Sequence, residues 1–230
     1  MWEQHKRLIV LGAVAGVLAL VVILVQMGGT TGAVIETARS AEDVDTRLEA
    51  IDELGRTGSK AAYEALASLA GDTHPAVAVE AVQALGARQD PRNVPVLKKV
   101  VSEDERPRVR EAGVVALGRL GMRTDPAVLA RAVTDDPSPR VRATAAKWLG
   151  MLRYWQGMPS LIQGLRDPSV RVRQSAYTAI RRMWERDFLY RADDPPEKRE
   201  PRVRLIEMSW EDYKGSEHYD AFKWPEEKQP

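Results

Sequence analysis

The chain has 230 residues, 44% hydrophobic and 29% charged, with a formal net charge of +1. That balance supports a buried core and excludes a chain that binds nucleic acid through bulk charge. The absence of cysteine removes disulfides, thiolate metal sites and a cysteine nucleophile, and only three histidines, His5, His74 and His218, are left for metal binding or general-base work.

Residues 8–25 read LIVLGAVAGVLALVVILV, 18 positions without a charge or a strongly polar side chain. At about 1.5 Å per residue they span roughly 27 Å, close to the hydrocarbon thickness of a bilayer. A cleaved signal peptide usually has an apolar region of only about 7–15 residues and ends at a small-x-small site. The QMGGTTGA that follows is a poor one. The segment predicts an uncleaved transmembrane helix over 8–27, with residues 1–7 cytoplasmic and a linker over 28–40. Lys6 and Arg7 precede the run and no basic cluster immediately follows it. Positive charge stays inside, so the remainder is expected in the periplasm of a bacterium, held by one helix in the inner membrane. Gly12 and Gly16 form a GxxxG, a spacing that lets two membrane helices approach closely, although glycine is also simply common in such helices.

Further along, a phrase recurs. DPSPRVRATAAKWLG begins at Asp136 and DPSVRVRQSAYTAIR at Asp167. Anchored on the last residue of the phrase, the copies align at Gly55, Gly86, Gly118, Gly150 and Arg181, at intervals of 31, 32, 32 and 31 residues. A fixed period in this range signals a solenoid. The position five before the anchor is always small: Ala50, Ala81, Gly113, Ala145 or Ala176. Apolar residues stand one and four before it, and nine before it in the last four copies, as with Leu117, Val114 and Val109. Those offsets trace one face of a helix, and the closing glycine suits a C-cap. A shorter amphipathic segment precedes each of the last four phrases, near 59–71, 91–102, 125–135 and 158–167. One such helix pair cannot bury its stripe alone, and stacking the pairs can.

Charged positions repeat as well. Fourteen before the anchor stand Asp72, Asp104, Asp136 and Asp167, at the turn into the second helix, where a carboxylate caps exposed N–H groups. Eight before it stand Arg47, Arg110, Arg142 and Arg173. Ten before it stand Arg108, Arg140 and Arg171, at a helix start, where a cation gains nothing from the dipole. That mild cost leaves two roles open for this second set, pairing across repeats or contact with an acidic partner. Residues 34–86 carry 10 acidic and 4 basic side chains, whereas residues 87–186 carry 10 acidic and 20 basic.

From Asp187 the repeat stops, and 187–230 is expected to be a largely irregular tail. Yet 7 of the 14 aromatic residues lie there: Phe188, Tyr190, Trp210, Tyr213, Tyr219, Phe222 and Trp224. Phe188 and Tyr190 suit a cap on the last repeat. Trp210, Tyr213, Tyr219, Phe222 and Trp224 suit anchors for a partner.

The phrase and the helix before it resemble HEAT repeats, in particular the short bacterial class found in phycobilin lyases. The resemblance covers roughly residues 41–186 and implies an all-α, right-handed α-solenoid of about five helix pairs, behind one transmembrane helix. It also implies that the Asp and Arg series form a ladder from one unit to the next, and that the usual role is protein binding. Iron-dependent HEAT enzymes use repeated His-Glu pairs, and this chain has no His-Glu dipeptide. It also has no P-loop, zinc spacing or Ser-His-Asp arrangement. The expectation is therefore a non-enzymatic, membrane-anchored scaffold without cofactor or metal. Its partner is a protein at the membrane surface, in a larger complex such as a respiratory or photosynthetic one, with no nucleic acid and no small-molecule substrate. The alternative is a phycobilin-lyase-like enzyme or chaperone that handles a tetrapyrrole.

Overall fold

The computed structural model describes residues 30–121 and 127–216. The expected membrane helix with Gly12 and Gly16, and the aromatics Tyr219, Phe222 and Trp224, lie outside these residues. Among the described residues every regular element is helical, and no helix is long and apolar enough to cross a membrane.

Five helix pairs follow one another: α1 (30–40) with α2 (Val44–Thr57), α3 (Lys60–Leu69) with α4 (Pro75–Ala87), α5 (Val94–Glu103) with α6 (Pro107–Leu120), α7 (Ala127–Asp135) with α8 (Pro139–Met151), and α9 (Met158–Gly164) with α10 (Val170–Trp184). The first helix of the first unit occupies what reads in sequence as a linker. Ala38 is fully buried, and Val34 and Ile35 pack against the core beside it, so 30–40 is part of the solenoid.

The core is the stripe read from the phrase. Val77, Val109, Val141 and Val172 are sealed from solvent, as are Leu54, Leu85, Leu117 and Leu149 one residue before each anchor. Each buried leucine contributes about 1.5–3 kcal/mol by removal from water. The always-small position faces the first helix of its own pair: a Cβ at Gly113 would lie 2.8 Å from Val101 Cγ2 and 3.0 Å from Val100 Cγ1. Proline opens α4, α6 and α8, where its missing N–H costs nothing.

The anchor glycines are not C-caps. Gly86, Gly118 and Gly150 lie inside their helices, and none has a positive φ. They are places where the next second helix comes too close for a side chain. A Cβ at Gly86 would sit 2.5 Å from Ala116 Cβ, and one at Gly150 would sit 2.5 Å from Ala179 Cα. At Gly118 it would lie 2.1 Å from the Trp148 ring. Consequently successive second helices share more contact than successive first helices, and closer packing on that side curves the stack toward the second helices. Their outward side is the concave face.

The aspartates also act one step earlier than expected. Asp72, Asp104, Asp136 and Asp167 accept from the backbone N–H groups of His74, Arg106, Ser138 and Ser169. These are Asx-type turns over the residue before each helix, and the helices themselves lack a side-chain N-cap bond.

The tail departs most from expectation. Residues Pro196–Lys214 form α11, a helix of 19 residues. Pro201 removes one of its internal bonds, and charges crowd its sequence, which hides its stripe from a periodicity reading. The stripe exists all the same: Val203, Ile206 and Trp210 are buried against the last repeat. Arg166, on that repeat, clamps the helix by donating to Glu200 at 2.7 and 3.1 Å and to Glu207 at 2.6 and 3.2 Å. Those bonds, Glu200 foremost and then Glu207, raise the Arg166 pKa further. Phe188 and Tyr190 are buried in the crossing segment, where the Tyr190 hydroxyl donates to the Leu165 carbonyl at 2.6 Å. Residues 187–216 thus close the end of the rod, as solenoids require.

Candidate binding face

The first question is whether the recurrent charges are available. Arg110 donates through Nε and Nη2 to the two oxygens of Asp136 at 2.7 and 2.9 Å, and Arg142 does the same to Asp167 at 2.7 and 3.0 Å. In each, Nη1 turns back to the carbonyl of its own repeat's aspartate: Asp104 for Arg110 and Asp136 for Arg142. Arg47 pairs with Asp72, and its Nε donates to the Ala38 carbonyl. The Arg110–Asp136 side chains are only 7% and 5% exposed. A charge so desolvated stands only when paired, and here each guanidinium ties two repeats together.

The second repeat has Ala78 where the others have arginine. Its place is taken from the opposite side. Arg106, in the following turn, donates Nε and Nη2 to Asp104 at 3.0 and 2.7 Å and Nη1 to the Asp72 carbonyl at 2.6 Å. That is the same set of acceptors, one aspartate ahead and one carbonyl behind, met by a guanidinium of different origin. Burial pushes the Asp104 carboxyl up, but the bonds from the Arg106 side chain and amide and the nearby charges outweigh it and hold it below the usual carboxylate range. The last rung has no aspartate ahead. Arg173 donates to the Ala192 carbonyl of the capping segment at 2.7 Å instead. Sequence reasoning groups Arg173 with the other ladder arginines but misses Arg106, whose signal is the gap at Ala78.

The second arginine series behaves differently. Arg140 pairs with Glu111 of the preceding repeat at 2.5 Å and stays 59% exposed. Thr144 donates to the same Glu111 at 3.1 Å. Arg108 and Arg171 are exposed and meet no ionic partner among the described residues. Arg108 and Arg140 stand on a groove of about 800 Å³ on the concave face. Small apolar side chains, Ala76, Val79, Ala112 and Val115, line it together with Glu80, Glu111, Arg119 and His74. His74, at the start of α4, keeps its Nδ1 buried without a hydrogen-bond partner.

Two expected partner anchors are used elsewhere. Trp210 is 4% exposed, and Tyr213 stacks on Trp155 with ring centroids 4.5 Å apart. With Trp184 they form the aromatic joint between α11 and the last repeat. Both belong to the cap: Trp210 is buried with Val203 and Ile206, and Tyr213 packs against the same core. Among the described residues no group of acidic or histidine side chains is placed to hold a metal ion.

The comparison with known families now bears on the fold. Residues 32–118, 68–140 and 126–199 match HEAT repeats. The chain belongs to the HEAT-repeat family. No curated protein matches it. Among solved structures it is similar to the complex of CpcE and CpcF of phycocyanin lyase from Nostoc sp., with 23% identity and a TM-score of 0.51, over 68% of this chain and 65% of that one. The match thus spans a little less than two thirds of that protein. It is also similar to the MAST/Orbit N-terminal domain, with 19% identity and a TM-score of 0.48, over 80% of this chain and 97% of that one. At 23% identity the likeness to the phycocyanin lyase complex is one of fold.

Proposed function

We propose that this HEAT-repeat protein is a non-enzymatic, membrane-anchored scaffold. A single helix over 8–27 holds it in a bacterial inner membrane, N-terminus in the cytoplasm and solenoid in the periplasm. There it serves as an accessory or assembly subunit of a larger membrane complex, respiratory or photosynthetic. The observation that carries this reading is the concave groove. It is floored by small apolar side chains, rimmed by charges the ladder does not use, and runs across several repeats. An elongated protein segment buries apolar surface on such a floor while its polar groups meet the rim. The buried ladder supplies a rigid backing, so little ordering cost falls on the solenoid at binding. For the anchor, the support is the 18-residue apolar run with Lys6 and Arg7 before it.

The test is extraction of the tagged full chain in mild detergent, with identification of what accompanies it. A protein partner recovered in constant ratio is expected, and a lone chain under several mild conditions would sink the scaffold. Protease added to intact spheroplasts is expected to digest the solenoid. Full protection would place it in the cytoplasm and reopen the tetrapyrrole alternative, which a bound chromophore in the extract would favour.

A further inference from the structure

The concave face changes sign along its length. In the first two repeats its outward positions carry Asp45, Glu49, Asp52 and Glu80, against Arg56 alone, which pairs with Asp52. In the last three they carry Arg108, Arg119, Arg140, Lys147, Arg171 and Arg182, against Glu111 alone, which pairs with Arg140. Apart from the half-buried Glu80 and Glu111, all these groups are exposed. Among the described residues, Arg108, Arg119, Lys147 and Arg171 have no counter-charge, and neither do Asp45, Glu49 and Glu80. Between the two zones lies the apolar floor of Val79, Ala112 and Val115.

We infer that the face takes one elongated protein segment whose charge order mirrors its own: basic over the first two repeats, apolar over the floor, acidic over the last three. The inference rests on the scaffold reading and adds the chemistry and direction of the partner. A second copy laid antiparallel would also match the charge order, so adducts that map to the chain itself would overturn the inference. A lipid surface does not satisfy it, because anionic headgroups would be repelled at the acidic end. The reverse placement of the segment sets like charges together at both ends, which is how charge order fixes direction. Neighbouring second helices stand about 8–10 Å apart, so the segment must cover roughly 35 Å, about 11 residues if extended or about 24 if helical.

The experiment places a photo-reactive amino acid at Gln83, in the second repeat, and separately at Gln174, in the fifth, in the tagged full chain within its own membranes. Both residues are exposed and neutral. Ser68, on the first-helix side, serves as the control. Adducts at Gln83 and Gln174 are expected to map to one partner protein, to a lysine- or arginine-rich stretch at Gln83 and an Asp- or Glu-rich stretch at Gln174. Arg108→Glu combined with Arg171→Glu is expected to lower the adduct yield at Gln174 about tenfold, an effect that shrinks in high salt. Reversed charge order, uncharged stretches or lipid adducts would overturn the inference. A protein adduct at Ser68 alone would overturn it too, yet leave the scaffold standing. No adduct at any position would remove both.

Discussion

The substituted rung between the second and third repeats makes a sharp prediction. Arg106→Ser removes a guanidinium that makes two bonds to Asp104 and one to the Asp72 carbonyl. Asp104, only 11% exposed beside Arg106, keeps the backbone N–H of residue 106 as its remaining donor. Bonds to a charged group contribute about 1.5–3 kcal/mol each in net terms, but partial water entry relieves part of the loss, so the variant should lose roughly 2–3 kcal/mol. Ala78→Arg in the native background should also destabilise, because Arg106 already fills the space between Asp72 and Asp104. Combined, the two changes recreate the arrangement of Arg110 and Arg142. The double variant should recover most of the loss, with a coupling of about 2 kcal/mol in favour of the pair. Urea denaturation of all four chains, followed by circular dichroism, reads this directly. If the two losses simply add, Arg106 does not stand in for the missing arginine and the ladder account of that interface is wrong.

Other consequences follow from the same contacts. Gly86→Ala forces a Cβ to within 2.6 Å of the Ala116 backbone, so the two helices must part, at a cost of about 1–3 kcal/mol. Gly55→Ala meets Ala84 Cβ at 3.2 Å and Ala84 Cα at an ordinary 3.8 Å, and should be near neutral, since alanine gains about 1 kcal/mol of helix propensity. Thermal melting of both variants checks the contrast. Trp210→Ala empties the aromatic joint and should lose about 3–5 kcal/mol, read in the same denaturation assay, and an unchanged midpoint would mean that α11 does not cap the rod. The Glu200 carboxyl is held below its usual range by the bonds from Arg166. A depressed folded pKa stabilises above the unfolded value and the contribution is lost as pH falls through the folded one, so the cap should loosen below about pH 4. Arg166→Met should abolish that acid dependence in hydrogen exchange of α11.

The repeats were legible because two signals, the spacing of Val109, Val114 and Leu117 and the recurrence of the phrase, agree in the last four copies. The helices they predict are the ones found. What failed depends on contacts between copies. Glycine at a phrase's end reads as a cap in one dimension, whereas Gly86 and Gly150 are close approaches between successive helices, visible only once the stack exists. Arg106 pairs by substitution for a residue 28 positions away, which no local pattern announces. Helix α11 was hidden by Pro201 and by charges that look solvated until Arg166 claims Glu200 and Glu207. The concave groove was not legible at all, since curvature arises from small residues meeting across repeats.

The claim that the concave face holds a partner is tested most directly by native mass spectrometry of the tagged full chain purified under mild conditions. Wild type should appear in an assembly heavier than its own 25.6 kDa. Val115→Arg, on the groove floor, should return the lone mass, while Ser68→Arg on the opposite side should leave the assembly intact. A lone mass in wild type, or an assembly indifferent to Val115→Arg, would contradict the account.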